Sequence, residues 1–215
     1  MASDEYNTLA GESEGLFKAK GSKFIAYAAP VLSEEDVATF VKTVAAQHFK
    51  ARHHCYAYRI GLDGDRWRAN DDGEPSNSAG MPILGQLDSH GITDAAIVVV
   101  RYFGGVKLGV SGLIEAYREA AADAIANGEI VAKVKQRRLR ITTDYAHLSD
   151  LMNAVKAGGW TVEAQTMELN VELTIGRRAD GFEDAYRQLW LTLAKAYPGE
   201  ERLEESPEGY EVVHM

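Results

Sequence analysis

The sequence predicts an α+β protein of two units, and three observations carry that prediction. The most apolar segment, residues 92–102, contains Ile97-Val-Val-Val100 without polar alternation, the mark of a strand buried on both faces and central in a sheet. The hydrophobic pattern changes between Val131 and Gln136, which places a unit boundary there. Beyond it the elements run βαββα, the order of a compact ferredoxin-like sandwich with helices on one sheet face. The expected units are residues 16–132 and 136–197, with residues 1–15 and 198–215 as mobile termini.

Each element follows from local pattern. Residues 16–20 and 24–31 form two strands joined at Gly21, and Ser33-Glu-Glu-Asp36 resembles a capping box opening a helix with Val37, Phe40, Val41 and Val44 on its apolar stripe. Residues 53–61 alternate as a strand, and residues 66–70 form its hairpin partner across Asp63-Gly64-Asp65. Pro82 belongs in the first turn of a helix carrying Ile83, Leu84 and Leu87 and ending near Gly91. After the central strand, Ser111 is the expected cap of a helix whose Leu113, Tyr117, Ala120, Ala121, Ala124 and Ile125 follow helical spacing to Asn127-Gly128. In the second unit Leu139 and Ile141 point inward, while Arg138 and Arg140 point outward. A helix with Leu148, Leu151, Met152 and Val155 inside precedes strands over residues 160–167 and 168–175. Asp180 then caps a final helix carrying Phe182, Tyr186, Leu189 and Leu193.

Composition narrows the function classes. The chain has 215 residues, 46% of them hydrophobic, which is enough for a core in each unit. Its longest apolar run falls far short of the roughly 20 residues a membrane helix requires, so no membrane role and a cytoplasmic location are expected. One cysteine, Cys55, forms no internal disulfide. A net charge of −9 works against diffuse nucleic-acid binding, so any RNA contact requires a local basic patch, and no DNA specificity is expected.

Two loops carry chemistry. Asn70-Asp-Asp-Gly-Glu-Pro75 puts the carboxylates of Asp71, Asp72 and Glu74 in a turn ahead of a helix. Such oxygens suit a hard cation such as Mg²⁺, or donors on a partner. The plainer reading is a turn whose acids are solvated or paired with Arg59, Arg68 or Arg101. Arg101-Tyr-Phe-Gly-Gly-Val-Lys-Leu-Gly-Val-Ser-Gly-Leu113 leads from the central strand into a helix N-terminus, an anion-binding geometry with Lys107 and Arg101 adding charge. The alternative is that its glycines only permit a crowded turn. Val110 stands where a nucleoside-triphosphatase phosphate loop requires lysine, which excludes that motif. The candidate ligand or partner set is Asn70, Asp71, Asp72, Gly73 and Glu74 with Arg101, Tyr102, Gly104, Gly105, Lys107, Gly109, Ser111 and Gly112. His53 and Arg59 are further candidates on one face of the strand that holds Cys55. That cysteine reads as a buried thiol beside a hydrogen-bonded histidine, because nothing completes a zinc set or a catalytic triad. No catalytic residue and no cofactor are predicted; Mg²⁺ is the ion the carboxylates would suit. Lys133, Lys135, Arg137, Arg138 and Arg140 form either a solvated strand edge or an RNA-phosphate patch.

Four segments together resemble the bacterial YigZ branch of the IMPACT family over almost the whole chain. They are Lys20-Gly-Ser-Lys-Phe-Ile25, Ala51-Arg-His-His-Cys-Tyr-Ala-Tyr-Arg-Ile-Gly61, Asn70-Asp-Asp-Gly-Glu-Pro75 with Ala79-Gly80, and Val99-Val-Arg-Tyr-Phe-Gly-Gly-Val-Lys-Leu-Gly109. The resemblance implies a first unit with the fold of the second domain of a small-subunit ribosomal protein, shared with translation factors and small-molecule kinases. It also implies a ferredoxin-like second unit similar to one in elongation factor G. Eukaryotic relatives restrain an initiation-factor kinase by competing for its activating partner. The expected function is therefore regulation of translation by binding RNA, the ribosome or a protein partner. A Mg²⁺-dependent enzyme acting on a nucleotide or phosphate ligand is the alternative. Asn77-Ser78 replaces the family's usual Gly-Thr, and Ser111 replaces a second glycine, which weakens a strict glycine requirement at those positions.

Overall fold

The computed structural model describes residues 4–195 and 202–215. The chain divides into two compact units, one of residues 5–133 and one of residues 134–215 together with Asp4. Residues 1–3 and 196–201, parts of the expected mobile termini and of the end of the expected second unit, lie outside the described residues.

The N-terminal unit opens with β1 (Glu5–Leu9), β2 (Ser13–Ala19) and β3 (Ser22–Pro30), followed by α1 (Glu34–Gln47), β4 (His53–Ile60) and β5 (Arg66–Asn70). After these come α2 (Gly80–Ser89), β6 (Ala95–Tyr102), α3 (Gly109–Ala126) and β7 (Ile130–Val134). Five strands form one antiparallel sheet in the order β2-β3-β6-β4-β5. The central place of β6 explains its unbroken apolar sequence. Ile97 and Val99 join the core beneath α2 and α3, whereas Val98 and Val100 pack with Val44 of α1 on the opposite face. Ser33 and Asp36 close a reciprocal capping box at the start of α1, as the sequence pattern predicts.

Part of the segment expected to be a frayed terminus is structured. Strand β1 pairs with β7, and Leu9 and Thr8 are fully buried. That pairing spans most of the unit's sequence, so local composition does not reveal it. Strand β7 also runs into the stretch where the unit boundary was expected.

The C-terminal unit contains β8 (Gln136–Thr143), α4 (Leu148–Ala157), β9 (Thr161–Met167), β10 (Val171–Arg178), α5 (Phe182–Ala194) and β11 (Tyr210–His214). Its strands run antiparallel in the order β11-β8-β10-β9. Leu139, Ile141, Leu173 and Ile175 meet Leu151, Val155, Phe182 and Leu189 in one core. Strand β11 falls in the segment expected to be a mobile tail; it completes an edge by pairing with β8. Two local expectations also change. Helix α5 follows Gly181, which takes a left-handed conformation, so Asp180 is not its cap. Met152 is partly exposed, and Ala154 takes the buried place on α4. Asp4 binds this unit bidentately, accepting from Arg178 Nη2 at 2.8 Å and Nε at 3.0 Å.

Candidate functional site

The acidic loop is held by its own chain. Asp71 accepts backbone N–H bonds from Asn77 at 2.8 Å and from Ala79 and Gly80 at 2.9 Å. It thereby caps α2 from a distance, because Ala79, the residue at the cap position, has no side-chain acceptor. Asn70 Oδ1 accepts from the Asp72 amide at 2.8 Å, and Asp72 Oδ2 accepts from the His54 amide at 2.6 Å. The Asp72 carbonyl lies 2.8 Å from His53 Nδ1, and a carbonyl only accepts, so the proton sits on that nitrogen. Gly73 follows with φ +85°, a left-handed turn that brings the loop against His53.

Glu74 turns inward. Its Oε1 accepts from Arg101 Nη1 at 2.6 Å and from the Tyr117 hydroxyl at 2.9 Å. The two charged side chains are only 4% and 9% exposed. Cys55 lies beneath them, its Sγ 3.0 Å from the Asp71 carbonyl and 3.3 Å from the Tyr117 hydroxyl. Burial pushes both the Cys55 thiol and the Tyr117 hydroxyl well above their ordinary values, so both stay protonated. Asp72 keeps a half-exposed side chain, in contrast to the buried Glu74. Among the described residues no group of three or more His, Cys, Asp or Glu side chains is arranged to hold a metal ion.

The glycine loop serves two purposes. Gly104 is a packing glycine: a Cβ there would lie 1.9 Å from the Gly21 carbonyl carbon, and its amide donates to Ser22 Oγ at 3.1 Å. Gly105 and Gly109 have φ of +89° and +74° with open space beside them, so they bend the loop toward α3. Helix α3 begins at Gly109, which makes Ser111 its third residue and not its cap. Leu108 occupies the cap position and offers no side-chain acceptor, so the first-turn amides lack that partner. Gly112 lies one position further, against the Leu108 side chain.

Where strand β6 ends and α3 begins, a cleft of about 730 Å³ opens. Lys50, Arg52, His53, Arg101 and Lys107 line it with Glu74 as the one acid, beside Tyr102, Phe103, Leu108, Val110 and Leu113. The Arg101 guanidinium sits 5.5 Å from the ring centroids of both Phe24 and Phe103, and its buried Nε has no partner among the described residues. The structure thus brings Glu74, Arg101, Tyr102, Lys107, Gly109 and His53 to one cleft. Asn70, Asp71, Asp72, Gly73, Gly104, Gly105, Ser111 and Gly112 shape the surrounding loops without lining it. Arg59 lies at the other end of β4, opposite Ala95, where it donates to Asp88 and the Gly64 carbonyl. Lys50 and Arg52 are additions the motif reading missed, although they directly precede the strand that holds His53.

The basic run of the C-terminal unit is largely neutralised within that unit. Arg137 pairs with Glu183, Arg138 with Glu163 at 2.5 Å and Arg140 with Glu172 at 3.6 Å. Among the described residues no helix is long and apolar enough to cross a membrane.

Comparison with known proteins agrees with the motif resemblance. The model of the Impact N-terminal domain matches residues 20–125, a span that contains the β4, acidic-loop and glycine-loop motifs. The IMPACT family member YvyE of Bacillus subtilis (strain 168) is 35% identical over 163 residues, covering 76% of this chain and 74% of its own. The IMPACT family member YigZ of Escherichia coli (strain K12) is 36% identical over 134 residues, covering 61% and 66%. The crystal structure of a hypothetical protein aligns with a TM-score of 0.67 at 28% identity, covering 86% of this chain and 91% of that one. The chain belongs to the IMPACT family.

Proposed function

We propose that this chain is a cytoplasmic binding protein that regulates translation by engaging an anionic partner, RNA, the ribosome or a translation-linked protein, at the cleft beside α3. One observation carries this reading: a chain of net charge −9 gathers four fixed cations against one carboxylate in a single concavity that faces a helix N-terminus. The resemblance of its motifs to the IMPACT family supplies the link to translation. The order β11-β8-β10-β9 supports reading the C-terminal unit as a ferredoxin-like sandwich, as in elongation factor G. The N-terminal unit is read as the fold of the second domain of a small-subunit ribosomal protein, on the family resemblance alone. The engagement of Asp71 by three backbone amides and of Glu74 by Arg101 favours binding over Mg²⁺-dependent turnover.

Polysome sedimentation tests this. The wild-type chain is expected to co-migrate with ribosomes at low salt and to leave them as salt rises. Lys107→Ala is expected to co-migrate less, and ribonuclease treatment separates RNA-held from protein-held association. A wild-type chain that stays at the top of the gradient at low salt would count against the proposal.

A further inference from the structure

The cleft combines cations with an aromatic wall. Phe103 follows strand β6 directly and is 60% exposed, although the Arg101 guanidinium packs 5.5 Å from its ring. Much of the ring is therefore open to solvent beside the concavity. Val110, in the first turn of α3, is also exposed there. A pure phosphate reader has no use for this apolar surface. A partner with both a flat apolar face and adjacent negative charge matches it.

We infer that the cleft takes an unpaired nucleotide of single-stranded RNA, with the base against Phe103 and its flanking phosphates toward Lys107, Arg52 and the first amides of α3. This rests on the anion-binding reading above. Two independent features point to a ligand: the first turn of α3 lacks a side-chain cap where it lines the cleft, and the exposed Phe103 ring stands in the same lining as Arg52 and Lys107. Bases in a duplex are stacked on one another and present only their edges, so Phe103 would gain nothing from them. A free strand exposes both base faces and phosphates, and interleaved aromatic and basic side chains are the means by which proteins hold such strands. Lys50, Arg52 and Lys107, the cations left once Glu74 neutralises Arg101, also exceed what a single peptide carboxylate would need.

The test is fluorescence anisotropy with the full chain and three probes: a labelled single strand of about ten nucleotides, the same sequence as a duplex, and a phosphopeptide. The single strand is expected to bind tightest. Phe103→Ala should weaken it about ten-fold, a typical loss for one base–aromatic stack, without changing the salt dependence. Lys107→Ala should instead lower the slope of log affinity against log salt by about one. Trp67→Ala, an exposed aromatic on the edge strand β5, should change neither. Equal or tighter binding of the duplex, or unchanged affinity in Phe103→Ala, would overturn the inference. Binding of the phosphopeptide with neither RNA would overturn it and leave the anion-binding reading standing. No binding of any probe, together with no ribosome association, would remove both.

Discussion

Glu74 and Arg101 are a pair whose charges are nearly closed off from water, and such a pair is far easier to break than to replace. Glu74→Ala would leave the Arg101 guanidinium buried without its carboxylate and the Tyr117 hydroxyl without its acceptor. Its expected cost is about 3–5 kcal/mol, measured as a lower urea midpoint. A loss below about 1 kcal/mol would show that water reaches Arg101 freely. Cys55, fully buried and held as a thiol, is expected to resist a disulfide reagent at pH 8 in the native chain and to react stoichiometrically in denaturant. Rapid native reaction would contradict its placement. The sequence marks Asp71, Asp72 and Glu74 as a cluster, but their roles depend on distant partners. Glu74 meets a residue 27 positions away, and only the pairing of β4 with β6, which sets His53 opposite Arg101, brings the loop and the arginine together. The same pairing hides Lys50 and Arg52 from a motif reading, since their place in the cleft follows from sheet order.

At the scale of the element, the turn between β6 and α3 is shaped by a backbone-to-backbone approach. The β2–β3 turn at Gly21 fits against Gly104 so closely that any side chain at Gly104 must push two backbones apart. Gly104→Ala is expected to cost about 3 kcal/mol or more, at the upper end of overpacking effects, and to disturb the cleft. Gly105→Ala meets no neighbour and carries only the left-handed backbone penalty of about 1–2 kcal/mol. Chemical denaturation of the two variants checks the order, and equal costs would contradict it. Strand β6 was legible from its unbroken apolar run, α3 and β4 from the period that burial on one face imposes, and β5 from the turn residues that join it to β4. Strands β1 and β11 were not. Their short sequences become strands only through β7 and β8, partners that no local window contains.

Across the whole molecule each unit carries a histidine and carboxylates held below their ordinary values, with His48 and Asp36 in the N-terminal unit and His214, Asp4 and Asp144 in the C-terminal one. In the N-terminal unit His48 contacts the hydroxyls of Tyr27 at Nε2 and Tyr102 at Nδ1, and burial followed by repulsion from His54 holds it below the ordinary value of 6.5. A histidine with a depressed folded value favours the fold while neutral. Its contribution is therefore present above pH 6.5 and is lost as the pH falls from there through the folded value. In the C-terminal unit the Arg178 hydrogen bonds lower Asp4, and the His147 hydrogen bonds lower Asp144. Their contributions are present above the carboxylate value of 3.8 and disappear as the pH falls through the folded values. Hydrogen exchange, corrected for intrinsic rates, should show β6 amides losing protection below pH 6.5, as the β8 amides beside β11 also should, with a further loss in both units in far stronger acid. His48→Gln should flatten the first response. A β6 response below pH 6.5 that His48→Gln leaves unchanged would refute the assignment.

The bond between Asp4 and Arg178 joins residues 174 positions apart, so biosynthesis supplies its two halves at very different moments. At about 5–20 residues per second, the aspartate waits roughly 10–35 s for its guanidinium partner. Throughout that interval the intervening unit can close while the carboxylate is uncommitted. Any nascent-chain contact that sequesters Asp4 then yields a second unit that begins its life without this clasp.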